Sequence, residues 1–316
     1  MELRSLGNSG LLVSQYSLGT MTWGRDTDIH EARDQFNLYH EAGGRFIDTA
    51  DVYSDGVSEE IVGEFCREQP DVLISSKAGS VRTNRRRDAS RSHLLTALDA
   101  SLRRLRRTHI DVWHIHAWAP YTPIEETLSA AEHAIDSGKV RYLGISNYSG
   151  WQLTSAALGS KYPVISAQME YSLLQRGIER EVVPAAEDLG VGIMAWSPLG
   201  RGVLTGKYRH GTPADSRAAT SHFSAFITPY LNDRSRAIVD AVCTAAEGLG
   251  LTPIDVALAW TSARRQVSSA VIGARTAAQL RVVLNSVNAQ LPPEIHEALD
   301  EVSAIERGYP DFGWNQ

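Results

Sequence analysis

The sequence predicts a single (β/α)8 TIM barrel, an α/β fold, and three observations lead to it. Short apolar runs alternate with longer amphipathic stretches along most of the chain, as expected for repeated strand–helix units. The length of 316 residues suits such a barrel, which takes about 250 residues or more with insertions. A doubly wound open sheet would normally carry a G-x-G-x-x-G turn after its first strand, whereas this chain has Gly19-Thr20-Met21-Thr22-Trp23-Gly24 there.

The eight strands are predicted from short apolar runs, and each is followed by a helical pattern. The predicted strands cover residues 15–19, 45–48, 72–77, 111–116, 140–145, 164–168, 191–196 and 270–273. The predicted helices cover residues 28–42, 57–68, 90–107, 123–137, 149–158, 177–188, 234–262 and 276–288. Right-handed crossovers between parallel strands then close the sheet into a barrel.

Both ends of the chain depart from this repeat. Residues 1–14 predict a hairpin around Gly7-Asn8-Ser9-Gly10 that covers one mouth of the barrel. Residues 292–316 predict an extra helix and an aromatic tail, which folds over the barrel mouth, meets a partner subunit or stays disordered. The long connection at residues 197–233, without helical periodicity, falls on the face where barrels build active sites. Residues 1–316 are predicted to form one domain.

Composition excludes several classes of protein. The 31 basic and 37 acidic residues give a net charge of −6, which argues against a nucleic-acid partner or an anionic membrane. Only two cysteines, Cys66 and Cys243, are present, which excludes a disulfide framework and a multi-thiolate zinc site. No leader pattern and no long apolar stretch is found, so a cytoplasmic protein without a membrane span is predicted. The oligomeric state stays open.

Ionisable residues stand at the predicted ends of three successive strands, as Asp48, Lys77 and His116. Tyr53 follows Asp48 in the next loop. An ammonium near a phenol lowers the pKa of the phenol, while a carboxylate orients the ammonium. Such a tyrosine can donate a proton to a carbonyl oxygen, which a histidine can hold by a hydrogen bond. The pattern therefore predicts carbonyl chemistry at this face.

Other interpretations of the same residues stay open. Asp48 and Lys77 could be a structural ion pair. His114 and His116 project to the same side of a strand and could bind a metal, although Lys77 would repel it, so no metal site is predicted and His114 is interpreted as an inward polar support. A barrel aldolase would use Lys77 as a Schiff-base nucleophile, but a neighbouring aspartate raises the pKa of a lysine and disfavours this.

Several motifs, in order and at barrel-compatible spacing, resemble those of the aldo-keto reductases, and the resemblance runs from Leu6-Gly7 to about Ser303. The motifs are Phe46-Ile47-Asp48-Thr49-Ala50-Asp51-Val52-Tyr53, Ser58-Glu59-Glu60-Ile61-Val62-Gly63, Ile110-Asp111-Val112-Trp113-His114-Ile115-His116, Gly144-Ile145-Ser146-Asn147, Gln168-Met169-Glu170-Tyr171-Ser172, Ser197-Pro198-Leu199-Gly200-Arg201-Gly202-Val203-Leu204-Thr205-Gly206-Lys207 and Ile272-Gly273-Ala274-Arg275-Thr276. The motif sequences are similar to those of the bacterial branches of this family that are related to potassium-channel β-subunits.

The resemblance implies a catalytic tetrad and a nicotinamide cofactor. The tetrad would be Asp48, Tyr53, Lys77 and His116, with Tyr53 as general acid. NADPH is the expected cofactor because Arg275 can contact a 2′-phosphate, with NADH as the alternative. Val282-Val283 replaces the Glu-Asn of many relatives, which implies fewer adenine contacts. The implied cofactor residues are Gly19, Thr20, Met21, Asp48, Ser146, Asn147, Gln168, Trp196, Ser197, Leu199, Gly200, Gly202, Lys207, Gly273, Ala274, Arg275 and Gln279.

The function that follows is NADPH-dependent reduction of an aldehyde or ketone, including a sugar or ring-borne carbonyl. The alternative is a cofactor-sensing regulatory subunit of the channel β-subunit type with incidental turnover. The predicted substrate pocket consists of Trp23, Tyr53, His116 and Trp118. A basic loop is either solvated or recognises an anionic substrate, and it contains Arg82, Arg85, Arg86, Arg87 and Arg91. A second basic group is assigned to solvated surface, namely Arg103, Arg104, Arg106 and Arg107.

Overall fold

The computed structural model describes residues 1–83, 86–209, 211, 221–306 and 308–309, and it contains the predicted closed barrel of parallel strands. The hairpin strands are β1 (Leu3–Ser5) and β2 (Leu12–Ser14), and a short antiparallel pair in the basic loop is β6 (Arg82–Thr83) and β7 (Arg86–Arg87). The barrel strands, each paired in parallel with the next around the ring, are β3 (Tyr16–Gly19), β4 (Phe46–Asp48), β5 (Leu73–Ala78), β8 (Ile110–Ile115), β9 (Val140–Ser146), β10 (Val164–Glu170), β11 (Gly192–Trp196) and β12 (Val267–Ile272).

Helices connect the strands and surround the barrel. They are α1 (Ile29–Glu41), α2 (Val57–Phe65), α3 (Arg91–Leu105), α4 (Ile124–Asp136), α5 (Gly150–Gly159), α6 (Val182–Leu189), α7 (Ser221–Ile227), α8 (Asp233–Leu249), α9 (Pro253–Ser262), α10 (Ala277–Asn285) and α11 (Pro293–Val302). Polar caps start several of them: the Asp28 carboxylate accepts two backbone N–H groups of α1, and Ser90 caps α3. The extra C-terminal helix is confirmed as α11.

The N-terminal hairpin closes the bottom of the barrel, as predicted. Leu6 and Val13 are fully buried and pack with Phe46, Val112 and Met194, whose side chains fill the lower part of the barrel. A methyl group at Gly7 would collide with backbone atoms at the start of β11, and its φ of 58° also favours glycine. The hairpin covers the lower mouth, and the opposite, C-terminal face carries the cavity described below.

The predicted single helix over residues 234–262 is wrong, because the structure has two helices there. α8 ends at Gly250, whose φ of 66° gives a left-handed C-cap, and α9 begins with Pro253 at its first position. Thr252 and Asp255 form a capping box between them. The 197–233 connection also differs from the prediction, since the 3-10 helices Gly200–Thr205 and Thr228–Tyr230 and the helix α7 form within it.

The prediction of solvated surface is wrong for two members of the second basic group. Arg104 is 24% exposed and binds the buried carboxylate of Glu59. The Arg107 guanidinium donates to the carbonyl oxygens of Cys66 and Gln69 at 2.9 and 3.0 Å. The reason is the close packing of α2 and α3, which leaves space at Gly63 only for a hydrogen. Both arginines therefore reach back to α2 and the loop after it.

A helix that spans a membrane needs about 20 mostly apolar residues. In the described ranges, no single helix is long and apolar enough to cross a membrane. The pair α8 and α9 meets the length and composition criteria only when taken together, across a bend of 103°.

Candidate active site

A buried ion pair forms the floor of the site at the C-terminal end of the barrel. Lys77 Nζ lies 2.7 Å from Asp48 Oδ2 and also 2.7 Å from the carbonyl oxygen of Thr49. The other carboxylate oxygen accepts hydrogen bonds from Ser75 Oγ at 2.9 Å and Gln168 Nε2 at 2.8 Å. Burial lowers the pKa of Lys77, but the Asp48 carboxylate and the Tyr53 hydroxyl together more than offset this and leave that pKa above its ordinary value. Lys77 is therefore a fixed ammonium, which disfavours the aldolase alternative.

Tyr53 lies directly above this ion pair. Its hydroxyl accepts a hydrogen bond from Lys77 Nζ at 3.4 Å, and the ammonium is 5.0 Å from the ring centroid. The predicted lowering of the tyrosine pKa by the neighbouring ammonium is present, but it does not decide the net pKa of Tyr53. Burial raises the pKa of Tyr53 above its ordinary value, Lys77 opposes that change, and Asp48 adds to it. Tyr53 is consequently a phenol at neutral pH, with a proton available for donation.

Two histidines of the β8 segment have different surroundings. His116 lines the cavity, with its ring 6.2 Å from that of Tyr53 and nearly perpendicular to it. Burial lowers the pKa of His116 to about 3, with Lys77 adding to the effect, so the imidazole is neutral. His114 is fully buried, and its ring nitrogens lie 3.2 Å from Ser75 Oγ and 2.9 Å from Ser166 Oγ. It is the inward polar support that the sequence predicts.

A metal site needs several ligating side chains directed at one point. Among the residues that the structure describes, no group of three or more His, Cys, Asp or Glu side chains is arranged to hold a metal ion. His114 uses both ring nitrogens in hydrogen bonds to serines, which leaves neither of them directed at His116.

A cavity of about 500 Å³ opens above the floor and extends toward β12 and α10. This volume is within the range of about 300–1,000 Å³ that is usual for cofactor and substrate sites. Tyr53 and His116 line one part of it, and residues of the β12–α10 segment line another. The predicted cofactor residues that line it are Gly19, Thr20, Met21, Asp48, Ser146, Asn147, Gln168, Trp196, Ser197, Leu199, Gly202, Lys207, Gly273, Ala274, Arg275 and Gln279. Gly200 is the exception, because it is buried against Leu174.

The Asn147 and Ser146 side chains, predicted to hold a carboxamide, are joined to each other and to the backbone of Gln168 by hydrogen bonds. Asn147 Nδ2 donates to the His116 carbonyl oxygen at 3.1 Å, and its Oδ1 accepts from Trp196 Nε1 at 3.2 Å. Ser146 Oγ donates to the Gln168 carbonyl oxygen at 2.9 Å. Asn147 has a left-handed φ of 58°, and Ser197, which follows β11, has one of 54°. Strained backbone of this kind is found where binding sites need a particular side-chain direction.

The far part of the cavity is suited to an anionic, extended ligand. Gly202 has a φ of 91° and presents backbone without a side chain. The Lys207 ammonium lies 3.7 Å from the position that a Cβ at Gly202 would occupy, so a cation stands beside this half-buried backbone. Arg275 lines the same cavity close to Gln279, whose Oε1 accepts the Arg275 backbone N–H at 3.1 Å. This donor set fits the diphosphate and ribose phosphate of a dinucleotide.

Of the predicted substrate residues, the structure brings only Tyr53 and His116 into the cavity lining. Trp23 is fully buried, donates from Nε1 to Gln35 and packs edge-on against Phe65, because its loop folds back on α1 and α2. Its placement in the substrate pocket is therefore wrong. Trp118 packs edge-on against the rings of Tyr148 and Trp151, with ring centroids 5.3 and 5.1 Å apart, beside the segment that carries Asn147.

Residues on the β10 and β11 side of the cavity form a group for which the sequence predicts no role. Arg201 forms a two-pronged ion pair with Glu170, and its guanidinium lies 3.8 Å from the ring centroid of Phe226. The Phe226 ring is parallel to Trp196 within 13°. Arg201 stands inside a motif quoted above, but only the fold brings Phe226 from α7 to it. In the basic loop, Arg85 lies outside the described residues, as do residues 310–316 of the tail.

Asp51, two residues before Tyr53, has a carboxyl group with a raised pKa. Burial raises the pKa of Asp51 to about 7, and the nearby Glu59 adds to the effect. Since the folded-state pKa lies above the unfolded value of about 3.9, this group favours folding below about pH 4 and loses that contribution as the pH rises to about 7. Asp51→Asn removes this pH dependence. Between about pH 4 and about pH 7, the free energy of unfolding of the variant minus that of the wild type should increase by up to about 1.4 kcal/mol per pH unit. Above about pH 7 the difference should stay constant.

The measurement is urea unfolding of both proteins at several pH values between about 4 and about 8. Asp55→Asn removes an exposed carboxylate of the same loop and controls for the loss of charge alone. A free-energy difference for Asp51→Asn that does not depend on pH would contradict the assignment.

Comparison with known proteins identifies the family. The family model described as "Aldo/keto reductase family" matches residues 16–304. The chain is 35% identical to a "Probable voltage-gated potassium channel subunit beta" of Oryza sativa subsp. japonica, with 98% of each chain covered. It is 33% identical to the "Uncharacterized oxidoreductase YrpG" of Bacillus subtilis (strain 168), with 96% of each chain covered. The sequence motifs, the closed barrel and these matches agree, and the chain belongs to the aldo/keto reductase family of oxidoreductases.

Proposed function

We propose that the protein reduces an aldehyde or ketone to the alcohol with NADPH, using Tyr53 as the general acid. The observation that carries this proposal is the stack of Asp48, Lys77 and Tyr53 at the floor of the cavity, with Tyr53 Oη 3.4 Å from Lys77 Nζ. A neutral phenol held against a fixed ammonium has both a proton to donate and a cation that stabilises the resulting phenolate. Membership of the aldo/keto reductase family supports the same chemistry.

The proton moves from Tyr53 Oη to the substrate oxygen. Lys77 supports the transfer because its charge lowers the energy of the phenolate that remains. Asp48 holds the ammonium in place through the 2.7 Å contact. His116, neutral and near the Tyr53 ring, is positioned to orient the carbonyl oxygen by a hydrogen bond. The same groups in reverse order support alcohol oxidation.

When bound, the nicotinamide supplies the hydride. Ser146, Asn147 and Gln168 would hold its carboxamide, and Trp196 would lie along the ring. The backbone at Gly202 together with Lys207 would hold the diphosphate, and Arg275 would hold the 2′-phosphate. The amide network, the glycine backbone and the two cations lining one cavity support this assignment.

A titration with NADPH, followed by quenching of tryptophan fluorescence, tests the cofactor assignment. Saturable quenching is expected, and it should be weaker in Trp196→Phe because the reporting side chain is removed. A panel of aldehydes and ketones then tests turnover. Absence of quenching with either NADPH or NADH would contradict the proposal.

Arg275→Gln is expected to raise the Kd for NADPH by about tenfold to a hundredfold, because a hydrogen bond to a charged group contributes about 1.5–3 kcal/mol. The Kd for NADH should change little, since NADH lacks the 2′-phosphate. Lys207→Gln is the matched control and should weaken both cofactors, because both carry the diphosphate. An equal effect of Arg275→Gln on NADPH and NADH would refute the role given to Arg275.

The second candidate function is a cofactor-sensing subunit, which the similarity to channel β-subunits favours. Such a protein would bind NADPH tightly and turn over slowly with every carbonyl tested. The NADPH titration and the carbonyl panel distinguish the two functions, because they measure binding and turnover separately.

A further inference from the structure

We propose that Glu59, Arg104 and Ser76 form a buried brace that positions Tyr53 against Lys77. The inference rests on the proposed function, since it assigns these three as positioning residues for the proton transfer. None of them lines the cavity. Their contacts instead tie together the two chain segments that carry the Tyr53 hydroxyl and the Lys77 ammonium.

The centre of the brace is Glu59, in the first turn of α2, whose side chain is fully buried. One carboxylate oxygen accepts Ser76 Oγ at 2.5 Å. The other accepts Arg104 Nε at 2.8 Å and lies 2.6 Å from Arg104 Nη2. A buried carboxylate with charged and neutral donors on both oxygens is held in a single orientation. Glu59 thereby joins β5, which carries Ser76, to α3, which carries Arg104.

The Arg104 side chain continues from this carboxylate to the loop of Tyr53. A Cβ at Gly56, three residues after Tyr53, would lie 2.7 Å from Arg104 Cδ, so the guanidinium stem packs directly on the glycine backbone. Gly56 has a φ of 95°, and the two residues between it and Tyr53 are left-handed as well, Ser54 at 50° and Asp55 at 55°. Left-handed non-glycine residues cost free energy and persist where surrounding contacts hold them.

Ser76 transmits the brace to the lysine. It stands next to Lys77 in β5, and alternation along a strand directs the two side chains to opposite faces. Lys77 therefore points into the barrel while Ser76 points outward to Glu59. The brace therefore fixes the outer face of β5 to α2 and the end of the Tyr53 turn to α3. These two attachments set the distance between Lys77 Nζ and Tyr53 Oη.

The groups around Tyr53 determine how a change in this separation is observed. Asp48 from β4, Lys77 from β5 and Asp51 from the preceding loop act on its hydroxyl, and His116 lies beside its ring. Of these, only Lys77 favours the phenolate. A longer distance to Lys77 therefore makes Tyr53 harder to ionise. Alcohol oxidation needs the phenolate as base, so the acidic limb of its pH profile should move to higher pH.

Arg104→Met and Ser76→Ala test the brace. Arg104→Met is expected to lower kcat by about tenfold or more, since a misplacement of about 1 Å can cost about 10²-fold. The Kd for NADPH should not change, because the brace lies outside the cavity. Arg104→Lys restores a cation without the two-pronged contact and should recover part of the loss. Arg33→Met is the control, because Arg33 of α1 forms an exposed ion pair with Glu64 of α2, so this change also removes a cation bound to a carboxylate of α2.

A second readout needs no turnover. In protein labelled with carbon-13 at tyrosine Cζ, with Tyr53→Phe assigning the resonance, the Tyr53 signal should shift in Arg104→Met and in Ser76→Ala but not in Arg33→Met. If Arg104→Met fails to fold, Ser76→Ala decides, because it deletes one hydroxyl. An unmoved Tyr53 resonance together with an unmoved pH profile in a folded variant would overturn the brace. A wild-type protein without carbonyl turnover would instead count against the proposed function, while the resonance would still decide the brace.

Discussion

Tyr53→Phe is expected to reduce carbonyls about 10²–10⁴-fold more slowly than the wild type, which is the usual contribution of a positioned general acid. The substitution removes only the hydroxyl that lies 3.4 Å from Lys77 Nζ and leaves the ring beside His116 in place. The Kd for NADPH should therefore change little, and the loss should appear in kcat. Initial rates with a fixed aldehyde and the fluorescence titration measure the two quantities.

Tyr148→Phe is the matched control for this experiment. Tyr148 is a buried tyrosine adjacent in sequence to Asn147, but its ring packs on Trp118 and does not line the cavity. Its loss of a hydroxyl should leave turnover within about twofold of the wild type, which corresponds to about 0.4 kcal/mol. Equal rates for Tyr53→Phe and the wild type would remove Tyr53 from the mechanism.

Lys77→Met should lower the free energy of unfolding by about 3–5 kcal/mol, because it leaves the buried Asp48 carboxylate without its cation. Both partners are almost completely buried, with 1% and 2% of their side chains exposed. Turnover should fall as well, since the phenolate left by Tyr53 would lose the charge that stabilises it. Urea unfolding measures the first effect and initial rates the second.

The double variant Asp48→Asn with Lys77→Met isolates the ion pair. Removing both charges should destabilise by much less than the sum of the single changes, because no unpaired buried charge remains. Lys161→Met, at the exposed Lys161–Asp136 pair, should cost at most about 1 kcal/mol. Additive effects of the two single changes would contradict a coupled buried pair.

The barrel is predictable from the sequence because its strands and helices have different hydrophobic periods. The apolar runs that end at Asp48 and at Trp196 are buried on both faces, as in a parallel sheet, and their lengths leave little choice of element. The polar residues at the ends of the strands then meet at one face because parallel strands all point the same way. The position of the ion pair on that face therefore follows from the strand assignments.

The sequence does not predict contacts that depend on how helices pack. Arg104 reaches Glu59 because α3 lies against Gly63 of α2. The residues next to Arg104 in the sequence give no sign that this arginine has a buried partner. Trp23 is a large aromatic residue of the kind that lines substrate pockets. The direction of its loop, however, places its ring against Phe65. The break in the α8–α9 region, in contrast, has a readable signal in Gly250 and Pro253, which was outweighed by the continuous apolar periodicity.

The pKa of Tyr53 shows why pairwise reasoning from sequence is incomplete. A lysine close to a tyrosine lowers the pKa of the tyrosine, and the structure contains that contact. Burial acts more strongly and raises the pKa of Tyr53. The extent of burial depends on all the elements around the cavity, so it enters only with the complete fold. The resulting neutral phenol suits the donation step and requires the Lys77 charge once the proton has left.

The central claim is that hydride passes from NADPH to a carbonyl substrate with Tyr53 as the general acid. Deuterium transfer from NADPH that is deuterated at the reactive position of the nicotinamide tests this claim most directly. The protein is mixed with this cofactor and an aldehyde, and the alcohol is analysed by mass spectrometry. We predict one deuterium on the carbinol carbon, formed by the wild type and largely lost in Tyr53→Phe. Saturable NADPH binding with no deuterium in any alcohol across the carbonyl panel would contradict the reductase and favour a cofactor-sensing subunit.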